Sequence, residues 1–394
     1  MKKSITILLL LWLLPGFTHG QDSTANKLTL DGYVSFMESA MDLNIPGEGL
    51  LWESLLHNRI NLNYYPSNAF SFSLQVRNRV MAGERLRQDD TGTYTGSLEK
   101  DMGVVDLSWN PVTCKSCVFN TAIDRLWMKY SRDRLEITAG RQRINWGQTY
   151  VWNPNDWFNN YSFFDVDYLE RPGSDAFRIQ YYTGSLSGLE AVVKVDSAHR
   201  YTVAGMFKTN FRGYDLQLLA GDLAGEGLAI GLGWAGGLEQ IGFKGEMSYL
   251  HPLDGMADTT GLFFLSLALD YTFSNSLMIQ VEAFYNQLPR GADKENFTEY
   301  YTRPLSVKDL SFTEYNLFAQ VTYPFAPLIS GSLAAIWFPR VDGYYLGPAL
   351  TWSLMNNLDL SLFLQYFSGK FSSGYGDDER QNFTLAFGRI KYNF

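Results

Sequence analysis

The sequence predicts an all-β chain folded as a transmembrane antiparallel up-and-down β-barrel of about 18 strands, and three observations carry that prediction. Apolar and polar residues alternate in segments along nearly the whole chain, short links alternate with longer ones, and aromatic residues gather near both ends of one face. The chain is 46% hydrophobic, yet beyond its first residues no apolar run reaches the roughly 20 residues that a membrane helix needs. Any spanning must be done by strands that satisfy their backbone against neighbours.

The first residues read as an export leader: Lys2 and Lys3, an apolar run over 5–14, the breaker Pro15-Gly16, and small residues at Thr18 and Gly20 before Gln21. No Cys stands at its end to carry a lipid. Residues 1–20 are expected to be a cleaved signal peptide and 21–394 a single barrel domain. With 41 acidic against 32 basic residues the net charge is −9, more negative once Lys2 and Lys3 are gone. Nucleic acid is therefore not an expected partner.

From Lys27 onward, segments of roughly 8 to 14 residues divide apolar from polar side chains by parity, the period of a strand with two unlike faces. Leu277, Ile279, Val281, Ala283 and Tyr285 oppose Gln280, Glu282 and Asn286. Phe70, Phe72, Leu74 and Val76 oppose Ser71, Ser73, Gln75 and Arg77, and Leu358, Leu360, Leu362 and Leu364 oppose Asp359, Ser361 and Gln365. One face suits lipid and the other water. A secreted β-sandwich also alternates, so the links and the rings must separate the two.

Tight turns are expected near Pro66, Arg132, Ser185, Arg212, Gly236, Asn275, Phe325 and Asn356, with longer polar links at 41–51, 83–118, 142–173, 251–260, 289–311 and 369–380. Short periplasmic turns alternating with longer extracellular loops are the asymmetry of an outer-membrane barrel. An even strand count then puts both termini in the periplasm. On the outward parity, Tyr64, Tyr130, Tyr181, Tyr214, Trp234, Tyr271, Tyr323, Trp352, Tyr392 and Phe394 mark the short-turn side. Trp52, Tyr201, Tyr249, Tyr285, Trp337 and Tyr344 mark the loop side. A sandwich core would gather its rings at mid-strand, whereas two girdles suit a lipid-facing wall. Pro348 falls inside a strand, where it removes a ladder hydrogen bond, so a bulge or gap is expected there.

The last segment, 381–394, resembles the carboxyl-terminal strand of Gram-negative outer-membrane proteins, with Ile390, Tyr392 and Phe394 on one face. The resemblance implies residence in the cell outer membrane, with its lipid and the barrel-assembly machinery as partners.

Inward parity sends Arg59, Arg77, Arg79, Arg125, Lys129 and Arg178 to the lumen from the early strands. Asp215, Glu246, Asp270, Glu282, Glu314 and Asp359 come mostly from later ones. Sequential strands are neighbours in such a barrel, so a basic wall would face an acidic one, and the field between them would filter polar solutes. The plainer alternative is that these charges solvate the interior and pair across adjacent strands. A barrel of this size leaves a water-filled channel unless loops fill it.

The link 142–173 carries Trp146, Tyr150, Trp152, Trp157, Phe158, Tyr161, Phe163, Phe164 and Tyr168, too many rings to leave in water. It is expected to fold into the lumen or against the rim as a constriction or plug, reversed by turns at Asn153-Pro154-Asn155-Asp156 and Arg171-Pro172-Gly173. Its candidate constriction residues are Arg141, Arg143, Trp146, Trp152, Asn153, Asp156, Trp157, Tyr161 and Arg171. Such rings and polar groups suit stacking on sugars, or else form the packed core of a folded loop. Gly140-Arg141-Gln142, Trp146-Gly147, Asn153-Pro154, Asp156 and Arg171-Pro172-Gly173 are similar to the GRQ, WG, NPxD and RPG signatures of a porin-like outer-membrane barrel family. The similarity to alginate-export barrels is more distant. The resemblance implies a channel without defining its solute, and the scarcity of lumenal arginines in the second half speaks against a dedicated polyanion path.

Cys114 and Cys117 lie in the 83–118 link. Two thiols in an exported chain default to a disulfide, although a C-x-x-C pair also serves redox or metal chemistry. No second pair exists, and His57, His199 and His251 are dispersed. For an enzyme the sequence offers little. Gly184-Ser185-Leu186-Ser187-Gly188 departs from G-x-S-x-G and falls in a turn, His57 shares the inward parity with Arg59, and Asp165 and Asp167 have no evident partner. No cofactor or metal is expected. The expected function is a porin-like channel for passive diffusion of small polar or charged solutes, saccharides among the candidates, with 142–173 as its gate. A structural or adhesin-type barrel, or a barrel enzyme, is the alternative, and solute flux into proteoliposomes separates the first from both.

Overall fold

Alternation along each strand becomes a wall with two unlike surfaces. In the computed structural model, which describes residues 27–42, 49–159, 162–166, 170, 172–253, 260–287, 306–371 and 379–394, the strands close into one barrel. Residues 1–20, expected to be a cleaved leader, lie outside the described residues. The early strands are β1 (Leu28–Asp42), β2 (Leu51–Ser67), β3 (Phe70–Gly83), β4 (Ser108–Cys114), β5 (Cys117–Arg132), β6 (Leu135–Gln142), β7 (Ser174–Tyr182), β8 (Gly188–Val195) and β9 (Tyr201–Phe211). The later ones are β10 (Tyr214–Leu223), β11 (Gly227–Leu238), β12 (Ile241–His251), β13 (Leu262–Thr272), β14 (Met278–Asn286), β15 (Tyr315–Ala326), β16 (Ile329–Phe338), β17 (Gly343–Met355), β18 (Leu358–Phe371) and β19 (Glu379–Asn393).

All neighbours are antiparallel, and β1 pairs with β19 from Tyr33↔Asn393 to Asp42↔Thr384, which seals the ring. The ring has 18 strands, because β4 stands outside its order. The edge of β5 that meets β6 from Leu126 to Arg132 meets β4 from Cys117 to Ala122. β6 and β7 are short because the chain leaves the wall between them. β4 and the coil 101–107 fill the wall above that gap, with one bridge from Gly103 to Asp196.

The outward parity is largely apolar and uncovered: Leu228, Ile230 and Leu232 are exposed on β11, while the alternating Ala229, Gly231 and Gly233 are buried. An extensive apolar wall of this kind belongs in lipid. Tyr64, Tyr181, Trp352 and Tyr392 stand exposed at the short-turn end, and Trp52, Tyr201, Trp337 and Tyr344 at the other. Short turns fall at 133–134, 212–213, 239–240, 327–328 and 356–357. β11 runs on to Leu238, so its turn lies past Gly236 and uses the left-handed Glu239. At Pro348 the β17–β18 ladder breaks: Leu346 pairs with Tyr366, Gly347 and Pro348 have no partner in the ladder, and pairing resumes at Ala349 in the same register.

Among the described residues, three segments fold inward from the long-loop end. The first, 84–100, holds α1 (Glu84–Arg87) and α2 (Thr93–Glu99), and its Leu86 packs with Met37, Leu55, Met81, Val118, Leu385 and Phe387. The third, around 306–313, brings Phe312 against Phe338, Phe367 and Phe371. The second, 142–173, builds the candidate site between them.

Candidate site in the lumen

The segment 142–173 leaves the wall where only glycine fits. Gly140 has φ of 110°, and a Cβ there would collide with the Leu126 carbonyl. Arg141 then forks onto Asp175, with Nε to Oδ1 at 2.7 Å and Nη2 to Oδ2 at 2.9 Å. It also donates through Nη1 to Asp101 at 2.6 Å and through Nη2 to the Val105 carbonyl at 2.6 Å. A planar guanidinium can serve these partners at once, so one side chain joins β6, β7 and the coil 101–107. Gln142 donates to the Thr138 and Ala176 carbonyls, each at 3.1 Å. Asn159 closes the neck: its Oδ1 accepts from Ile144 N at 3.0 Å and its Nδ2 donates to the Pro172 carbonyl at 2.7 Å. Gly147 lies against the Asn153 side chain and Gly173 against the Asp124 carbonyl, both too close for a Cβ. Gly140, Gln142, Gly147, Asn153 and Gly173, which stood out in the sequence, thus shape the neck and first turn of this segment together with Asn159, which did not.

Two buried carboxylates hold its midpart. Glu246 on β12 accepts through Oε1 from Gln148 N, from Thr149 N at 2.7 Å and from the Thr149 hydroxyl at 2.9 Å, and through Oε2 from Asn155 N at 2.9 Å. Glu282 on β14 accepts from Tyr150 N, Val151 N and Trp152 N at 2.8, 2.9 and 2.9 Å, and from the Ser266 hydroxyl at 2.8 Å. Both acids face inward as parity requires, but they lie beneath the segment, 0% and 2% exposed, and touch its backbone instead of pore water. Burying an ionised carboxylate demands such a set of donors.

From there the segment follows the inner wall. Trp146 Nε1 donates to Glu190 on β8 at 2.8 Å, and Trp157 Nε1 donates to Ser248 on β12 at 3.2 Å. Gln365 on β18 donates to the Phe164 carbonyl at 2.9 Å, Arg389 on β19 to the Val166 carbonyl at 3.0 Å, and Tyr33 on β1 to Glu170 at 2.9 Å. The contacts therefore run around much of the circumference. Trp146, Trp152, Trp157, Phe158 and Phe164 are all buried, and Trp152 stacks on Phe284 at 5.3 Å. Their faces are covered by protein, which leaves them no surface for stacking on a sugar. Asn153 and Asp156 are buried too, while Arg143 is exposed. Tyr161 and Arg171 lie outside the described residues.

The basic side of the wall brings its own acids. A register shift opposite Gln75 and Val76 inserts one residue into β5, so that consecutive Asp124 and Arg125 both turn inward. Asp124 meets Arg59 at 2.5 Å and Arg77 at 3.5 Å, and Arg125 donates to the Asp124 carbonyl at 2.8 Å. Arg79 donates to Asn120 at 3.0 Å, Arg178 forks onto Glu190 at 2.7 and 2.8 Å, and Lys129 lies 3.8 Å from Glu136. Asp270 is shared by Lys244 at 3.9 Å and the Tyr150 hydroxyl. Glu314 precedes β15 at its loop end, half-buried. On the basic side the charges thus pair within the wall, while on the acidic side Glu246 and Glu282 hold the backbone of 148–155 and Asp270 lies beside Lys244, because partly buried charges are stable only beside partners. Asp124 escaped parity reasoning, since simple alternation with Arg125 inward would turn it toward lipid. At the tip of the β4–β5 hairpin Cys114 and Cys117 are joined as a disulfide, their Cα atoms 5.0 Å apart.

No protein-family model matches the sequence, and no curated protein matches it. The fold, however, is similar to solved Occ/OprD outer-membrane porins. Pseudomonas aeruginosa OccK11 (OpdR) aligns with a TM-score of 0.58 at 11% identity, over 93% of this chain and 96% of that one. P. aeruginosa OpdQ gives 0.57 at 8% over 93% and 98%, and Acinetobacter baumannii OccAB4 gives 0.57 at 9% over 94% and 100%. At such identities the likeness concerns the fold, an 18-stranded barrel.

Proposed function

We propose that this chain is an outer-membrane, porin-like channel for passive diffusion of small polar solutes, with both termini in the periplasm and 142–173 as its constriction. The observation that carries the reading is a lumen crossed by a segment fastened to the inner wall through hydrogen bonds, inside a barrel whose outer wall is apolar. Toward the short-turn end the inner face stays polar, with Asn61, Asn63, Gln75, Gln180 and Gln280 half-buried. Among the described residues, acidic and basic side chains alike keep some access to water, among them Lys129 at 35%, Lys244 at 31%, Glu170 at 28% and Asp270 at 24%. A mixed lining of this kind suits small polar solutes of either charge. Saccharides fit it through hydrogen bonds to amides and carboxylates.

The test is conductance in planar bilayers with flux of sugars and amino acids into proteoliposomes. The wild type should conduct, and a variant lacking 148–168 should pass a larger single-channel current. Folded barrels that pass neither ions nor solutes, with or without that segment, would end the channel reading.

A further inference from the structure

The outer wall is not uniform. From β8 to β16 the mid-wall outward positions are apolar, as in Leu189, Ala191 and Val193 or Leu265, Leu267 and Leu269. On β2 and β3 the same parity carries the half-buried Asn58 and Asn78, with the buried Thr121 of β5 beside them. Asn58 pairs with Asn78 and Asn78 with Thr121 in the ladders. Asn78 Nδ2 donates to Asn58 Oδ1 at 3.2 Å, the Thr121 hydroxyl donates to Asn78 Oδ1 at 3.0 Å, and Asn58 Nδ2 reaches the Tyr33 carbonyl at 3.2 Å. Along β2 the row sits midway between the girdle residues Trp52 and Tyr64, at the depth where hydrocarbon is driest. On the next strand the outward Glu38 accepts from Ser54 at 2.6 Å. Beyond it small residues, Ala40, Ala349, Ala386 and Gly388, floor a recess of about 570 Å³ in the outer face.

We propose that this face of β1, β2, β3 and β5 is the contact between two copies of this chain in the membrane, packed row against row about a twofold axis. Acyl chains offer neither donor nor acceptor, so an amide row at mid-depth is at a disadvantage in lipid. Each amide has two N–H donors and a two-lone-pair oxygen, and the bonds above use one donor of Asn58 and one of Asn78. The remaining capacity comprises donors and acceptors together, so a second copy of the row meets its needs without a different partner. Bilayer partners lacking hydrophobic drive associate through packing and interchain hydrogen bonds, and the neighbouring recess gives side chains of the second copy a place to enter.

The inference rests on the barrel lying in a bilayer, but not on what passes through it. Full-length protein, extracted in mild detergent, should run at twice the protomer mass, and the variant N58L/N78L should fall to the protomer mass. That variant should remain a folded, heat-modifiable barrel with unchanged single-channel current, which separates loss of the contact from loss of the channel. An Asn58→Cys variant, oxidised in intact outer membranes, should give a homodimer band absent from the wild type. A wild type at protomer mass with no such band, a cross-link to a protein of another size, or an N58L/N78L protein that stays dimeric would each overturn the proposal.

Discussion

The two carboxylates under the lumenal segment give the sharpest prediction. In Glu246→Gln the amide keeps one acceptor oxygen where two are in use. If that oxygen stays with the Thr149 donors, the new NH2 group confronts Asn155 N, whose bond at 2.9 Å is lost. A buried N–H left without an acceptor costs about 1–3 kcal/mol, and the surviving bonds lose their charge assistance. In Glu282→Gln the same reasoning applies to Tyr150, Val151 and Trp152. The wall ladders do not use either side chain, so the barrel should still close, and the loss should appear as release of 148–157. A loss of about 1–3 kcal/mol corresponds to about one to two powers of ten in the released population. Hydrogen exchange at 148–157 should accelerate by that factor in each variant, and single-channel records of the double variant should show larger or more frequent openings. Unchanged exchange and unchanged current in the double variant would refute the assignment of these acids as anchors.

Arg141→Ala strands Asp101 and Asp175 at the neck and should cost about 3–5 kcal/mol, read as new protease cleavage within 101–107 on an otherwise closed barrel. Gly140→Ala meets both a left-handed backbone and the Leu126 carbonyl, so it should lower the temperature at which the barrel loses heat-modifiability by more than Gly96→Ala, which has open space around it. At the loop end, burial pushes the Asp89 carboxyl up, but bonds from Thr95 N and its hydroxyl and from Tyr94 N outweigh that and hold it below the usual carboxylate range. The start of α2 should therefore be fully secured above about pH 4, the unfolded value, and loosen as pH falls through the lower folded value. Exchange of 92–96 measured from pH 5 to pH 3 should follow that course, and Asp89→Asn should remove it.

The wall was legible in the sequence because strand period, link length and ring placement depend on local residue choice. Tyr64 and Trp52 fall on one parity of β2 whatever the rest of the chain does. β4 was hidden inside the long 83–118 link: it is short, contains Pro111, and pairs only with part of β5. The site was legible in its ingredients and not in its wiring. Glu246 and Glu282 read as pore acids, since a carboxylate on an inward parity looks the same whether it meets water or backbone N–H. Their partners at 148–155 lie on another segment, and backbone donors leave no trace in side-chain identity. The aromatic run of 142–173 signalled burial correctly, because so many rings must be covered, while its path around the wall depended on contacts from Tyr33 to Arg389.

The seal between β1 and β19 has a kinetic side. Tyr33 pairs with Asn393 and Phe36 with Ile390, so the ladder that completes the wall joins residues from opposite ends of the chain. Loop-closure entropy and the slowness of non-local pairing fall on this one step. Until it happens β1 and β19 each expose a row of unpaired backbone groups, the kind of edge that recruits strands from other chains. Shortening β19 would therefore act less on the strength of the finished wall than on the lifetime of the open sheet that precedes it.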